Sequence, residues 1–276
     1  MDFKNAVAVV TGGASGIGRS TALAFAGLGA NIVIADINDR GMEEVRQEIE
    51  GLGRRAVTVH CDVTQDESVK KLAAQVIMTF GTVDILMNNA GVAVNGHLEN
   101  IGMDDWNWII NINLLGVIRC VHAFLPLMLK NNSGYIINTA SLAGILPTWG
   151  SQALAVYTIP YITTKFGVMG FSESLRTYVN PRGITVSVLC PGYVSTNFVS
   201  NIRFIPDDPH ENADAASSPV NDIEKPEDID AGAMMEPDDV AHLVVEAMRE
   251  KRFLILTHPD SREGLLERGQ YLLNLK

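Results

Sequence analysis

Short unbroken apolar runs recur along the chain, each followed by a longer stretch in which apolar residues return every three or four positions. The first run, Ala6-Val7-Ala8-Val9-Val10, has no polar face. That is the form of a strand covered on both sides, as in a parallel sheet. Further runs of this kind lie at 31–36, 56–63, 83–88, 134–141, 184–190 and 253–257. Between and after them, helical spacing is read through Leu23, Ala26 and Leu28, and at 41–52, 68–80, 104–127, 166–175, 237–248 and 262–275. Gly29 closes the first of these helices and Gly81 the third. Asp238 or Asp239 is read as the cap near the start of the helix over 237–248. Regular alternation of strand and helix predicts an α/β fold, a doubly wound, Rossmann-type and mostly parallel seven-stranded sheet with helices on both faces. The run at 253–257 is expected at an edge. No repeat, second core or linker interrupts the pattern, so residues 1–276 are expected to form a single dinucleotide-binding and catalytic domain. The pattern dissolves only over about 195–236, where Pro206-Asp207-Asp208-Pro209 and few large apolar residues predict a lid or a flexible tract.

Composition agrees and narrows the function. A chain of 276 residues, 47% of them hydrophobic, is long enough for one sizeable core. Mean hydropathy is +0.13. A net charge of −11 argues against nucleic acid and against an anionic membrane as partners. Uncharged apolar runs stay below ~18 residues, so no membrane span is expected. Cys61, Cys120 and Cys190 are scattered in apolar runs and read as buried free thiols. The six histidines show no ligand spacing, so no metal site is expected. With no charged leader and apolar segment ahead of Ala6, a cytoplasmic location is expected.

Candidate chemistry gathers at the C-terminal ends of the strands, where ligands lie in open parallel sheets. Thr11-Gly12-Gly13-Ala14-Ser15-Gly16-Ile17-Gly18 links the first strand to its helix. Glycines there let backbone approach a pyrophosphate, and the helix N-terminus offers free N–H groups. Asp36 ends the second strand; a carboxylate there accepts hydrogen bonds from both ribose hydroxyls and repels a 2′-phosphate, favouring NAD over NADP. Arg40 and Arg19 are the nearby cations. Asp62 ends the third strand, suited either to an adenine amino group or to capping the next helix. Ala90 and Gly91, after Asn88 and Asn89, suit close contact with a nucleoside. Asn111 and Asn113 interrupt an apolar helix, where an unbonded amide is costly. Ser141 ends the fifth strand, and Pro191-Gly192 turns the chain where a nicotinamide could sit. Finally, Tyr161 and Lys165 are four apart on a predicted helix and share a face. A neighbouring cation is expected to lower the phenol pKa from its usual ~10, towards the range of proton transfer.

Taken in order, Thr11-Gly12-x-x-x-Gly16-x-Gly18, Asn88-Asn89-Ala90-Gly91, Ser141 before Tyr161-x-x-x-Lys165, and Pro191-Gly192 resemble the short-chain dehydrogenase/reductase family over roughly residues 5–196. The resemblance implies a catalytic tetrad of Asn113, Ser141, Tyr161 and Lys165, with Asn111 the rival to Asn113. Tyr161 would exchange the alcohol proton while a hydride passes between carbinol carbon and nicotinamide. Lys165 would hold the nicotinamide ribose, Ser141 the substrate oxygen, and Asn113 a water of the proton relay. Cofactor contacts are expected from Gly12, Ser15, Gly16, Ile17, Gly18, Asp36, Asp62, Val63, Asn89, Ala90, Gly91, Tyr161, Lys165, Pro191, Gly192, Val194 and Thr196. A homotetramer or dimer is also implied.

Ser141 precedes Tyr161 by 20 residues, more than the family's usual dozen or so. Residues of about 145–160 are therefore read as an enlarged substrate loop, with Trp149, Leu154, Val156 and Tyr157 making the pocket apolar and aromatic. The tail resembles, more faintly, members that oxidise benzylic alcohols of lignin-derived aromatics. The expected substrate is a bulky apolar secondary alcohol or ketone, aromatic, alicyclic or steroid-like. The alternatives are an NADPH-dependent 3-oxoacyl-thioester reductase and a non-catalytic nucleotide-binding member; retention of Tyr161, Lys165 and Ser141 speaks against the latter.

Overall fold

The computed structural model describes residues 1–147, 152–206 and 234–273. Among them the strands are β1 (Val7–Thr11), β2 (Asn31–Asp36), β3 (Ala56–His60), β4 (Ile85–Asn88), β5 (Ala93–Asn95), β6 (Gly134–Thr139), β7 (Ile184–Cys190), β8 (Ile202–Phe204) and β9 (Leu254–Leu256). The helices are α1 (Gly16–Gly27), α2 (Asp39–Gly51), α3 (Asp66–Phe80), α4 (Met103–Ile110), α5 (Gly116–Asn131), α6 (Gln152–Tyr157), α7 (Ile159–Val179), α8 (Pro237–Glu250) and α9 (Ser261–Leu272). Seven strands form one sheet in the order β3-β2-β1-β4-β6-β7-β9, every neighbouring pair parallel. The chain winds outward from β1 to β3, then crosses back to β4 on the other side. That reversal opens a crevice at the C-terminal ends of β1 and β4.

The runs lack a polar face because both faces are covered. In β1, Ala8 and Val10 pack with Phe25 of α1, Met42 and Ile49 of α2, and Val244 and Met248 of α8. Val7 and Val9 point the other way, to Leu72 of α3, Phe124 and Met128 of α5, and Val179 of α7. Alternate side chains thus meet opposite helical layers, and a polar residue at either position would be buried without water. All seven expected strands are present, and β9 is at the edge as expected. Residues 61–63 leave the third strand to become the loop that approaches the crevice.

Residues 103–131 form a continuous helical stretch, α4 and α5 joined by a π-helical turn over Asn111–Leu115. By length and apolar composition alone it could cross a membrane. Here Cys120, Val121, Phe124 and Met128 bury one side of it against the sheet. Asp238 and Asp239 lie in the first turn of α8, but Glu236 is the N-cap residue and makes no side-chain cap bond. Pro237 at the first helical position sets that start instead. Most of the tract expected as a lid, 207–233, falls outside the described residues. Its two flanks are tied together: Ser195 N donates to Met235 O at 2.9 Å and Met235 N to Tyr193 O at 3.0 Å.

Candidate active site

The crevice deepens into a cleft of about 720 Å³, lined from the glycine turn to Phe204. At its nucleotide end, Gly12 and Gly16 adopt φ of +62° and +51°, which side chains disfavour. Gly18 has no room for a Cβ, which would lie 2.1 Å from Gly12 O. Ser15 stands at the α1 N-cap without a side-chain cap bond, leaving the helix N-terminus open to an anion. Asn89 braces the turn, its Nδ2 donating to Gly12 O at 3.2 Å while its Oδ1 accepts from Thr139 Oγ1 at 3.3 Å. Thr11 Oγ1 accepts from the backbone N–H of Asn89 at 3.0 Å and of Ala90 at 3.3 Å. Asn89 is therefore a structural clamp that holds Ala90 and Gly91 beside the turn, while Asn88 Nδ2 donates to Asn138 Oδ1 at 2.8 Å within the sheet.

Asp36 faces this end of the cleft, its Oδ2 accepting from Ala14 N at 3.1 Å and its Oδ1 from Ile37 N and Asn38 N at 2.8 and 3.0 Å. Arg19 is paired with Glu48, and Arg40 with Glu44 at 3.0 Å. Asp62 also lines the cleft. It does not cap α3, whose N-cap is Gln65; its Oδ1 accepts from Thr64 N at 2.9 Å and shapes the loop after β3. Ser15, Ile17, Val63, Pro191, Gly192, Val194 and Thr196 line the cleft as well. Gly18 sits beneath the turn, outside the lining.

At the other end, Ser141, Tyr161 and Lys165 come together. Lys165 is 4% exposed; its Nζ donates to Thr139 O at 2.9 Å and stands 5.5 Å from the centre of the Tyr161 ring. Burial lowers its pKa to about 8. The Tyr161 phenol moves the opposite way to the sequence expectation: burial pushes it up to about 12, opposed by a hydrogen bond from Ser141. The physical reason is that the ammonium lies over the ring and bonds Thr139 O, so desolvation of the phenolate outweighs attraction to the cation. Ser141 Oγ lies 3.4 Å from Pro191 O and accepts from Ala143 N at 3.1 Å. Asn113, fully buried, stands behind the lining: its Oδ1 accepts from Val92 N and its Nδ2 donates to Val92 O, both at 2.9 Å, with Thr164 Oγ1 at 3.1 Å. The π-helical turn carries this side chain, a distortion that often marks functional sites.

Among the described residues, the apolar wall comes from outside the enlarged loop. Trp149 and the side chain of Leu154 lie outside the described residues. Val156 is 55% exposed, and the Tyr157 ring packs edge-on to His97 at 4.8 Å. The wall is made instead by Val92, Ile112, Phe198, Ile202 and Phe204. Phe198 sets its ring 6.0 Å from that of Tyr161. Ile202 and Phe204 escaped sequence reading because β5 and β8 are only three residues long and pair across 109 positions, Ala93 with Ile202 and Asn95 with Phe204. Asn95, buried and lining the cleft, was missed for the same reason; Thr158, also buried and lining it, lies within the loop over about 145–160, just before α7.

The sequence pattern described as short chain dehydrogenase matches residues 6–204. The chain belongs to the short-chain dehydrogenase family. It is therefore an oxidoreductase of a family that binds a nicotinamide cofactor. A 3-oxoacyl-acyl-carrier-protein reductase of Thermotoga maritima is 30% identical, over 83% of this chain and 89% of its own. A C alpha-dehydrogenase of Sphingobium is 31% identical over 99% and 87%. A solved short-chain dehydrogenase/reductase from Burkholderia phymatum, in complex with NAD, superposes with a TM-score of 0.86 at 31% identity, covering 100% of this chain and 97% of that one.

The glycine turn and its surroundings fit such a cofactor. Positive φ at two glycines, a Cβ-free third and an uncapped helix N-terminus leave backbone donors facing the space a pyrophosphate needs.

Proposed function

We propose that this protein is an NAD-dependent oxidoreductase interconverting a bulky, largely apolar secondary alcohol and its ketone. The observation that carries the reading is the meeting of Tyr161, Ser141 and Lys165 at one end of a cleft walled by Phe198, Ile202 and Phe204. A bound nicotinamide supplies or accepts the hydride. Tyr161 Oη exchanges the proton of the substrate oxygen: a phenol near pKa 12 is protonated at neutral pH and ready to donate to a ketone. In the oxidative direction it must lose that proton to become a base. The charge of Lys165 favours the phenolate formed, and the Ser141 hydroxyl stabilises charge on the substrate oxygen. Asn113 acts by position, fixing Val92 and hence the cleft wall beside Gly91.

Asp36 supports NAD. Its carboxylate ends β2 in the cleft, and Arg19 and Arg40 are engaged by glutamates, so a 2′-phosphate would meet an anion without a committed cation. The solved relative with NAD agrees with this choice. The C alpha-dehydrogenase, similar over nearly the whole chain, favours a dehydrogenase reading, and the tail's resemblance to members that oxidise benzylic alcohols favours an aryl-bearing carbinol. A thioester reductase is the second reading, favoured by the Thermotoga relative but opposed by Asp36. Cyclohexanol, phenyl methyl carbinol and their ketones, assayed with both cofactors by absorbance of the reduced nicotinamide, test the proposal. Turnover with NAD is expected; turnover of acyl thioesters alone, with NADPH alone, would replace this reading by the second.

A further inference from the structure

The two short strands that escaped the sequence carry one feature that the chemistry above does not use. In the pair β5–β8, Ala93, Asn95, Ile202 and Phe204 line the cleft, whereas Val94 and Arg203 do not. Alternate residues of a strand point to opposite faces, so the cleft-facing side of this small sheet is three apolar side chains and one carboxamide. Asn95 is 6% exposed, and its Oδ1 has no hydrogen-bond partner among the described residues. The backbone that carries it is fixed in place. Ile205 N donates to Asn95 O at 2.8 Å and Gly96 N to Tyr157 O at 3.0 Å. A Cβ on Gly96 would lie 2.8 Å from the Cβ of Ile205, so the backbone is packed tightly just beyond Asn95. Val94 belongs to the cluster that includes Tyr161 and Ile205. Asn95 therefore stands on the side of Tyr161 and the apolar wall, away from the glycine turn, Asp36 and Asp62.

A buried amide oxygen without a donor is unfavourable, and a single polar group on an apolar wall is how a pocket fixes the orientation of its ligand. We infer that Asn95 Oδ1 receives a hydrogen bond from the substrate, and that the substrate carries, besides the reacting carbinol, a second hydroxyl on its apolar body. This rests on the reading of the cleft as that of a secondary-alcohol oxidoreductase. A site with such an acceptor discriminates against the analogue that lacks the donor, because the acceptor is then left buried and unpaired.

The test is a matched set assayed on the full chain with NAD: phenyl methyl carbinol, its two ring-hydroxylated forms (meta and para), and the form hydroxylated on the methyl group. In the wild type, at least one hydroxylated member should exceed the parent in kcat/KM by about 10–100-fold. Asn95→Leu, which keeps the bulk and removes the acceptor, should bring that ratio close to one; Asn95→Asp, which keeps an acceptor, should retain most of it. Equal kcat/KM across the set in the wild type would overturn the inference, and that result needs no variant to fold. So would an undiminished ratio in Asn95→Leu, or a loss of NAD affinity in that variant matching its loss of activity, which would assign Asn95 to the nucleotide. Failure of every alcohol with either cofactor would instead overturn the underlying reading.

Discussion

The two ends of the cleft are built on different principles. The nucleotide end is mostly backbone: a turn whose glycines are required by φ and by close contact, and an uncapped helix N-terminus, with the Asp36 carboxylate at the end of β2 beside them. The other end is side chain: Ile202, Phe204 and Asn95, delivered by two three-residue strands from distant parts of the chain, with Phe198 from the turn just before β8. Backbone geometry admits few residue types, so the first end leaves a spaced motif. An apolar wall admits many, so the second leaves none. Tyr161, Ser141 and Lys165 stand at this second end, Tyr161 beside Phe198; on the proposed reading, one catalytic apparatus there serves a fixed cofactor and a variable substrate.

If the ends are separable, changes at each should read out separately. Gly18→Ala should act most strongly, since its Cβ would fall 2.1 Å from Gly12 O. We expect about a 100-fold loss of NAD affinity and a thermal midpoint lower by several degrees, measured by calorimetry. Asp36→Ala should lower the NAD/NADP ratio of kcat/KM by about 10–30-fold with little change in kcat with NAD; an unchanged ratio would contradict the ribose assignment. Phe198→Ala should cost about tenfold in kcat/KM for phenyl methyl carbinol, chiefly through KM, with NAD affinity unchanged. A matching fall in NAD affinity would show that the two ends are not independent.

The same contrast explains what could be read in advance. Seven strands and the Gly12–Gly18 turn were legible because burial on both faces and glycine geometry constrain sequence locally. Tyr161 and Lys165 were legible through their helical spacing. The direction of the Tyr161 pKa shift was not, because it depends on where the ammonium points and how much protein surrounds the phenol, which spacing does not specify. Ile202, Phe204 and Asn95 were not legible because nothing local marks residues 93–95 and 202–204 as partners. The capping role expected for Asp238 or Asp239, and the capping alternative for Asp62, failed for a related reason: Glu236 and Gln65 occupy the N-cap positions.

The central claim is that the Tyr161 phenol transfers the proton while the glycine turn and Asp36 hold the cofactor without its help. Tyr161→Phe removes one oxygen and leaves the ring against Phe198. With kcat on a secondary alcohol and NAD binding measured on the same preparation, kcat should fall by about a thousandfold while NAD affinity changes by less than about twofold. A variant that keeps turnover near the wild-type rate would contradict the account.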